Sequence, residues 1–176
     1  DLLSGIYDQD KYQKQQSYFR ANTRFGLLTS TVSFLVIILM IVFGGFGWLD
    51  GIVQRWTANP ILVSLIFFGI LFLANDIIST PFEIYDIFVI EERFGFNKTT
   101  PKTFILDKIK SLLLSAVIGG ALMALIILIY SKTGNLFWIL AWGVISLFSV
   151  FMAMFYSNLI VPLFNKQTPL PEGVLR

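Results

Sequence analysis

The stretch FGLLTSTVSFLVIILMIVFGGFGWL, residues 25–49, contains no charged side chain and lies between Arg24 and Asp50. A helix needs roughly 20 mostly apolar residues to cross the ~30 Å hydrocarbon core of a bilayer. Inside that core, only helices and closed barrels satisfy every backbone N–H and C=O group. The stretch therefore predicts a transmembrane helix.

Three further stretches satisfy the same criterion: residues 56–80, 111–130 and 136–161. Across the whole chain 56% of the residues are hydrophobic and 16% are aromatic, whereas soluble domains contain about 45–50% apolar residues. The sequence predicts an all-α fold, a multi-pass transmembrane helix bundle with four spans, of which residues 25–49 form the first.

Basic side chains are concentrated on one side of this predicted bundle. Only Arg55 and Lys132 lie on the other side. The remaining basic residues precede the first span, separate the second from the third, or follow the fourth: Lys11, Lys14, Arg20, Arg24, Arg93, Lys98, Lys102, Lys108, Lys110, Lys166 and Arg176. Because Lys and Arg are enriched in cytoplasmic loops, we expect both termini and loop 81–110 to be cytoplasmic. The four tryptophans fall near the opposite interface: Trp48, Trp56, Trp138 and Trp142.

A polar stripe begins in the second predicted span and continues past it. Asp76, Thr80, Glu83 and Asp86, here called the acidic stripe, are spaced by four, three and three residues, which places them on one helix face. Pro81 permits two local structures: a kinked continuous helix, or a new helix that Thr80 caps. In either structure we expect the stripe to line a polar cavity or the cytoplasmic surface, because ionisable groups avoid lipid. Asp76 also fits a residue that marks the membrane–water interface.

A second polar group follows in VIEERFGFNK, residues 89–98. It comprises Glu91, Glu92, Arg93 and Asn97. Gly95 is expected to end the helix, because glycine readily adopts the left-handed conformation of C-caps. By physical chemistry alone, these charges also fit a solvated loop. Neither polar group pairs a nucleophile with a base, so we expect no catalytic residue in this chain.

Histidine and cysteine are both absent from the sequence. Zinc sites in proteins are built from His and Cys side chains, with carboxylates as additional ligands. We therefore expect this chain to hold no metal ion, and the absence of cysteine excludes disulfides.

Three segments of the chain have a distinctive order of residues: GIYDQDKYQKQQSYFRANTRFGL (5–27), STPFEIYDIFVIEERFGFNKTT (79–100) and YSNLIVPLFNKQTPLPEGVLR (156–176). In this order they resemble segments of the CAAX prenyl protease family, which are integral-membrane zinc metalloproteases. The resemblance covers essentially the whole chain. IEERFGFN together with PLFNKQTPLPEG is far more specific than either motif alone.

The resemblance implies a parent enzyme with a larger set of spans around a hydrophilic chamber, of which this chain supplies the second to the fifth. The family's HExxH helix and third zinc ligand would follow Arg176, so zinc is expected in the parent enzyme and not in this chain. The implied reaction is metal-assisted hydrolysis of prenylated proteins that end in a CAAX box. For bacterial relatives, the implied role is membrane-protein quality control. No catalytic residue of the family can be assigned to a residue of this chain.

Hydropathy and charge position predict a cytoplasmic juxtamembrane segment at residues 1–24 and the four-helix region at residues 25–164, with its cytoplasmic loop 81–110. The resemblance implies that residues 165–176 are the start of a link to a protease domain. Glu91, Glu92, Arg93 and Asn97 would dock that domain or contact the substrate peptide. The expected location is the endoplasmic reticulum or a bacterial inner membrane.

The expected partners are the lipid bilayer, the downstream protease domain with the remaining spans, and a prenylated or membrane-protein substrate. Nucleic acid is not expected as a partner, because no basic nucleic-acid-binding motif is present. Two other functions stay open from the residues alone. The chain could be a stand-alone four-helix channel or transporter subunit whose path the acidic stripe lines, or it could be a membrane assembly module.

Overall fold

The computed structural model describes residues 9–165, and this part of the chain is helical apart from short turns. The helices are α1 (Gln9–Val42), α2 (Gly45–Trp56), α3 (Pro60–Tyr85), α4 (Pro101–Thr133), α5 (Phe137–Leu159) and α6 (Val161–Phe164). A π-helical turn, Asp86–Glu91, and one α-helical turn, Glu92–Phe94, prolong α3 and are here called the α3 extension. The chain forms two units, α1 to the α3 extension and α4 to α6. Residues 1–8 and residues 166–176 of the predicted link 165–176 lie outside the described residues.

Three continuous helical stretches of the described chain are long and apolar enough to cross a membrane: Gln9–Val42, Pro60–Phe94 and Pro101–Phe164. The third contains two long helices, α4 and α5, joined by the 3-10 turn Gly134–Leu136. The all-helical, multi-pass membrane class is therefore confirmed. The division into four spans stays a prediction.

The first helix ends earlier than the predicted span 25–49. α1 stops at Val42, and Gly44 has a φ of 64°, in the left-handed region that L side chains rarely adopt. The Gly44 N–H donates to the Ile41 carbonyl at 3.1 Å, and the Gly44 carbonyl accepts from the Trp48 N–H at 2.9 Å. Gly44 thus ends α1 and allows α2 to begin at the following residue.

The short helix α2 packs against both α1 and α3 in the first unit. Leu49 and Val53 lie one turn apart on its inner face, and both are buried; Val53 is 0% exposed. Trp48 and Trp56 remain largely exposed. Trp56, predicted as the first residue of the second span, is therefore the last residue of α2.

The second span begins at Pro60 rather than at residue 56. The Asn59 side-chain Oδ1 accepts hydrogen bonds from the N–H groups of Ile61 at 2.9 Å and Leu62 at 3.4 Å. Pro60 occupies the first helical position, where its missing N–H is harmless. An amide side chain in this position satisfies two of the N–H groups that a helix start leaves without partners.

The second unit is a helical hairpin. The Lys110 ammonium near the start of α4 donates to the Leu163 carbonyl at 3.1 Å, beyond the end of α5. At the other end, Tyr130 and Phe137 pack edge to face with ring centroids 5.1 Å apart. Because contacts join both ends, α4 and α5 run antiparallel. Gly134, with a φ of 50°, allows the tight turn between them.

Candidate functional site

Helix α3 runs through Pro81 without interruption. The Thr80 hydroxyl donates to the Asp76 carbonyl at 2.6 Å, so it bonds back to the preceding turn and does not cap a new helix. Of the two local structures that the sequence permits at Pro81, the structure adopts the continuous helix. The segment predicted as the first part of loop 81–110 is therefore helical as far as Phe94.

The acidic stripe lies on the less exposed side of α3. Asp76, Thr80, Glu83 and Asp86 are all partly buried. Ile77 is 71% exposed, and Ile84 and Val89 are also exposed. Within the first unit, α3 therefore turns its carboxylates inward and its aliphatic side chains outward. This is the orientation expected of a helix that separates lipid from a polar interior.

The α3 extension starts at Asp86 with the π-helical turn. Such turns are rare and occur frequently at functional sites. Asp86 Oδ1 is buried and has no hydrogen-bond partner among the described residues. One α-helical turn further along, Ile90 is buried. The π-helical turn thus contains both a buried carboxylate oxygen and a buried apolar side chain.

Gly95 ends the extension as predicted. Its φ is 72°, and its N–H donates to the Glu92 carbonyl at 3.0 Å. The Phe96 N–H donates to the Glu91 carbonyl at 2.9 Å. These two bonds form a Schellman motif, in which a left-handed residue lets the chain satisfy the last carbonyls of a helix.

The predicted docking residues are gathered around this motif. The Asn97 amide donates to Glu92 Oε2 at 3.0 Å, and its carbonyl Oδ1 accepts from the Thr99 N–H at 2.7 Å. The Arg93 guanidinium lies 5.9 Å from the centre of the Phe94 ring. The structure therefore shows Asn97 and Glu92 shaping the exit from the helix. Their roles as docking residues, like that of Glu91, stay predictions.

An aromatic cluster, which the sequence analysis did not predict, joins α1 to α3 and its extension. Its members are Tyr18, Phe25, Phe82, Tyr85, Phe94 and Phe96. Tyr18 packs edge to face on Phe94 and Phe96, with centroids 5.5 and 4.8 Å apart. Phe25 lies 5.0 Å from Tyr85. The sequence of α1 did contain a signal for this cluster, because Tyr18 and Phe25 are two helical turns apart on one face.

A cleft of about 290 Å³ opens beside the aromatic cluster, between α1 and α3 with its extension. We call it the basic cleft. Its lining residues are Ala21, Arg24, Phe25, Leu28, Tyr85, Val89, Ile90, Arg93 and Phe94. Two of these nine side chains are guanidinium groups and none is a carboxylate.

The residues present do not fit a zinc ion. The sequence has neither histidine nor cysteine. Within residues 9–165, no three acidic side chains are grouped closely enough to hold a metal ion. The acidic stripe is thus extended along α3 and does not form a ligand cage.

The fold and the site define the membrane region of a multi-pass helical protein, without a catalytic motif of its own. A sequence model described as "CAAX prenyl protease N-terminal, five membrane helices" matches residues 1–166. The chain therefore belongs to the CAAX prenyl protease family, as its three motifs indicated. The family description gives five membrane helices, compared with the four spans predicted from the sequence.

Known proteins agree with this assignment. The chain is 35% identical to the probable CAAX prenyl protease 1 of Schizosaccharomyces pombe, over 99% of the chain and 40% of that protein. It is 36% identical to a homologue from Arabidopsis thaliana, over 99% of the chain and 43% of that protein. The crystal structure of S. mikatae Ste24p matches with a TM-score of 0.87 and 29% identity, covering 99% of this chain and 42% of that one. The chain thus spans about 40% of the length of these relatives.

Proposed function

We propose that this chain is the membrane scaffold of a zinc metalloendopeptidase that processes prenylated CAAX-box proteins. Membership of the CAAX prenyl protease family supports the reaction class. The chain covers about 40% of its relatives and lacks the residue types of a zinc site. The zinc ligands and the catalytic base would then lie in the remaining part of the parent protein, and this chain alone would be inactive.

In this proposal α3 forms part of the wall of a water-filled chamber. The partly buried carboxylates of the acidic stripe would face the chamber, and the exposed aliphatic side would face lipid. The hairpin of α4 and α5 would cross the membrane twice, which gives four spans together with α1 and α3. Both termini and residues 81–110 would be cytoplasmic, because the basic residues favour that side.

The α3 extension would then stand next to the protease domain. Glu91, Glu92, Arg93 and Asn97 lie at its end, where the Schellman motif fixes the direction of the chain. We propose that these residues dock the protease domain. Residues 165–176 would lead towards that domain.

Cleavage assays on two proteins test the reaction. The full-length parent protein should contain about one zinc ion per chain and cleave a prenylated CAAX peptide, since structural and catalytic zinc sites bind a single ion. Residues 1–176 alone should contain no zinc and show no cleavage. The control is the same peptide without its prenyl group. A full-length protein with neither zinc nor activity would refute the protease proposal and favour a channel or an assembly module.

Thiol labelling tests the chamber wall. Asp76 and Ile77 are adjacent, so they lie at nearly the same membrane depth, but Asp76 is partly buried and Ile77 is 71% exposed. In a full-length protein freed of other cysteines, Asp76→Cys should react with a charged maleimide at least about tenfold faster than Ile77→Cys, because thiolates form in water and not in hydrocarbon. Equal rates would show that the acidic stripe does not line an aqueous space.

A further inference from the structure

We propose that the basic cleft binds the phosphate of an anionic membrane lipid, with the lipid's glycerol and upper acyl chain against the apolar end of the cleft. This inference is independent of the proposed protease function, because it rests on α1 and the α3 extension alone.

The chemistry of the lining residues matches such a lipid. Arg24 and Arg93 supply two guanidinium groups, which bind phosphate through paired N–H donors better than an ammonium does. Phe25, Leu28 and Val89 supply an apolar wall. Within residues 9–165, neither guanidinium lies within ion-pair distance of a carboxylate. Both arginines are exposed, so they are available to an external anion.

The position of the cleft along α1 matches the depth of a lipid phosphate. Arg24 is the last charged residue before the charge-free stretch 25–49, so it marks the boundary between headgroups and hydrocarbon. Leu28 lies one turn, about 5.4 Å, further into the membrane. A phosphate beside Arg24 would place its acyl chain next to Leu28. Basic pockets between membrane helices are known to bind anionic headgroups in this way.

Aromatic contacts fix the backbone on both sides of the cleft, next to each arginine. Phe25 packs on Tyr85 at 5.0 Å, and Tyr18 packs on Phe94 at 5.5 Å, next to Arg93. The π-helical turn contributes as well. It takes up more residues per turn than an α-helix, and therefore returns Arg93 to the side of α3 that faces α1. A preorganised site loses less entropy on binding.

Native mass spectrometry of the full-length protein in neutral detergent tests the proposal, with dioleoyl phosphatidylglycerol and dioleoyl phosphatidylcholine as probes. The wild type should retain phosphatidylglycerol about tenfold better, which corresponds to roughly 1.4 kcal/mol. The double variant R24Q/R93Q should lose this preference. The control R20Q removes an exposed arginine one turn before Arg24, outside the cleft, and should keep it. An unchanged preference in R24Q/R93Q would refute the proposal.

Two further measurements keep the result interpretable. A photoactivatable phosphatidylglycerol should cross-link the wild type within residues 21–28 or 85–94, which requires no variant; cross-links confined to other segments would overturn the assignment. Competition identifies the ligand class. Millimolar inorganic phosphate or a peptide with a free C-terminal carboxylate should leave the lipid bound. Full displacement by phosphate would indicate a free-anion site, and displacement by the peptide would indicate a peptide site.

Discussion

Replacing Val53 with aspartate is expected to unfold the packing of α2 between α1 and α3. Val53 is 0% exposed, so the new carboxyl group must become neutral or carry a buried charge. Neutralising an aspartate at pH 7 costs about 4 kcal/mol, given an ordinary pKa of 3.9 and about 1.4 kcal/mol per pH unit. The lost burial of an apolar side chain adds about 1.5–3 kcal/mol. This sum is a large fraction of the stability of a typical domain.

Thermal unfolding of the full-length protein, followed by tryptophan fluorescence, measures the effect of V53D. The control is G51D, because Gly51 is exposed on the same helix and its Cβ would meet no atom within 4 Å. The defect of V53D should also be smaller at pH 5 than at pH 8. Burial raises the folded-state pKa of the new carboxyl group, so the folded state binds more protons and its stability falls as the pH rises. Equal unfolding temperatures for V53D and G51D would show that α2 is not packed as described.

Inserting one alanine after Phe88, in the middle of the π-helical turn, is expected to separate the α3 extension from α1. The turn already holds one residue more than an α-helical turn, so an additional residue would rotate every later residue by about 100° around the helix axis. Phe94 would then leave Tyr18, whose ring lies 5.5 Å away in the structure. Each aromatic pair contributes about 0.5–1.5 kcal/mol beyond its buried area, and the insertion would also remove Arg93 from the basic cleft.

Cross-linking of engineered thiols reports this rotation. With Tyr18→Cys and Phe94→Cys in the full-length protein, a short bismaleimide should join the two positions in the original background and react at least about tenfold more slowly after the insertion, since the thiols would point to different sides of a 3.6-residue turn. Deleting Phe88 in the same variant restores the number of residues and should restore the cross-link. A cross-link that survives the insertion unchanged would mean that the rotational position of the extension does not decide its contact with α1.

The sequence predicted the membrane class well, because hydrophobic length and charge position are set by the bilayer and not by tertiary packing. It predicted the helix boundaries less well. The apolar run continues through Gly44 to Leu49, and hydropathy carries no information about the left-handed φ that ends α1. At the other end, loop 81–110 was predicted to begin at Pro81, although Gly95 was expected to end a helix. Charged residues are nevertheless good helix formers in water, and the helix continues to Phe94.

The candidate site was also predicted only in part. The sequence alone showed the chemical types of its residues, since no histidine or cysteine is present and the acidic stripe follows helical spacing. The aromatic cluster and the basic cleft were not predicted, because both depend on the pairing of α1 with a segment about sixty residues later, as in Phe25 and Tyr85. The π-helical turn has no sequence signature comparable to a cap or a turn motif. Family resemblance supplied the reaction class, which no residue of this chain could indicate.

The continuous helix Pro60–Phe94 has a mechanical consequence. Its 35 residues correspond to about 52 Å at 1.5 Å per residue, compared with a hydrocarbon thickness of about 30 Å. About 20 Å of the same helix therefore extends beyond the hydrocarbon, through the headgroup layer that holds the basic cleft, and carries Glu91 and Glu92 near its tip. For a straight helix of this length, a tilt of about 10° at its base displaces the tip by about 9 Å. Because membrane helices tilt to match bilayer thickness, we expect the position of these charges to depend on the thickness of the surrounding bilayer.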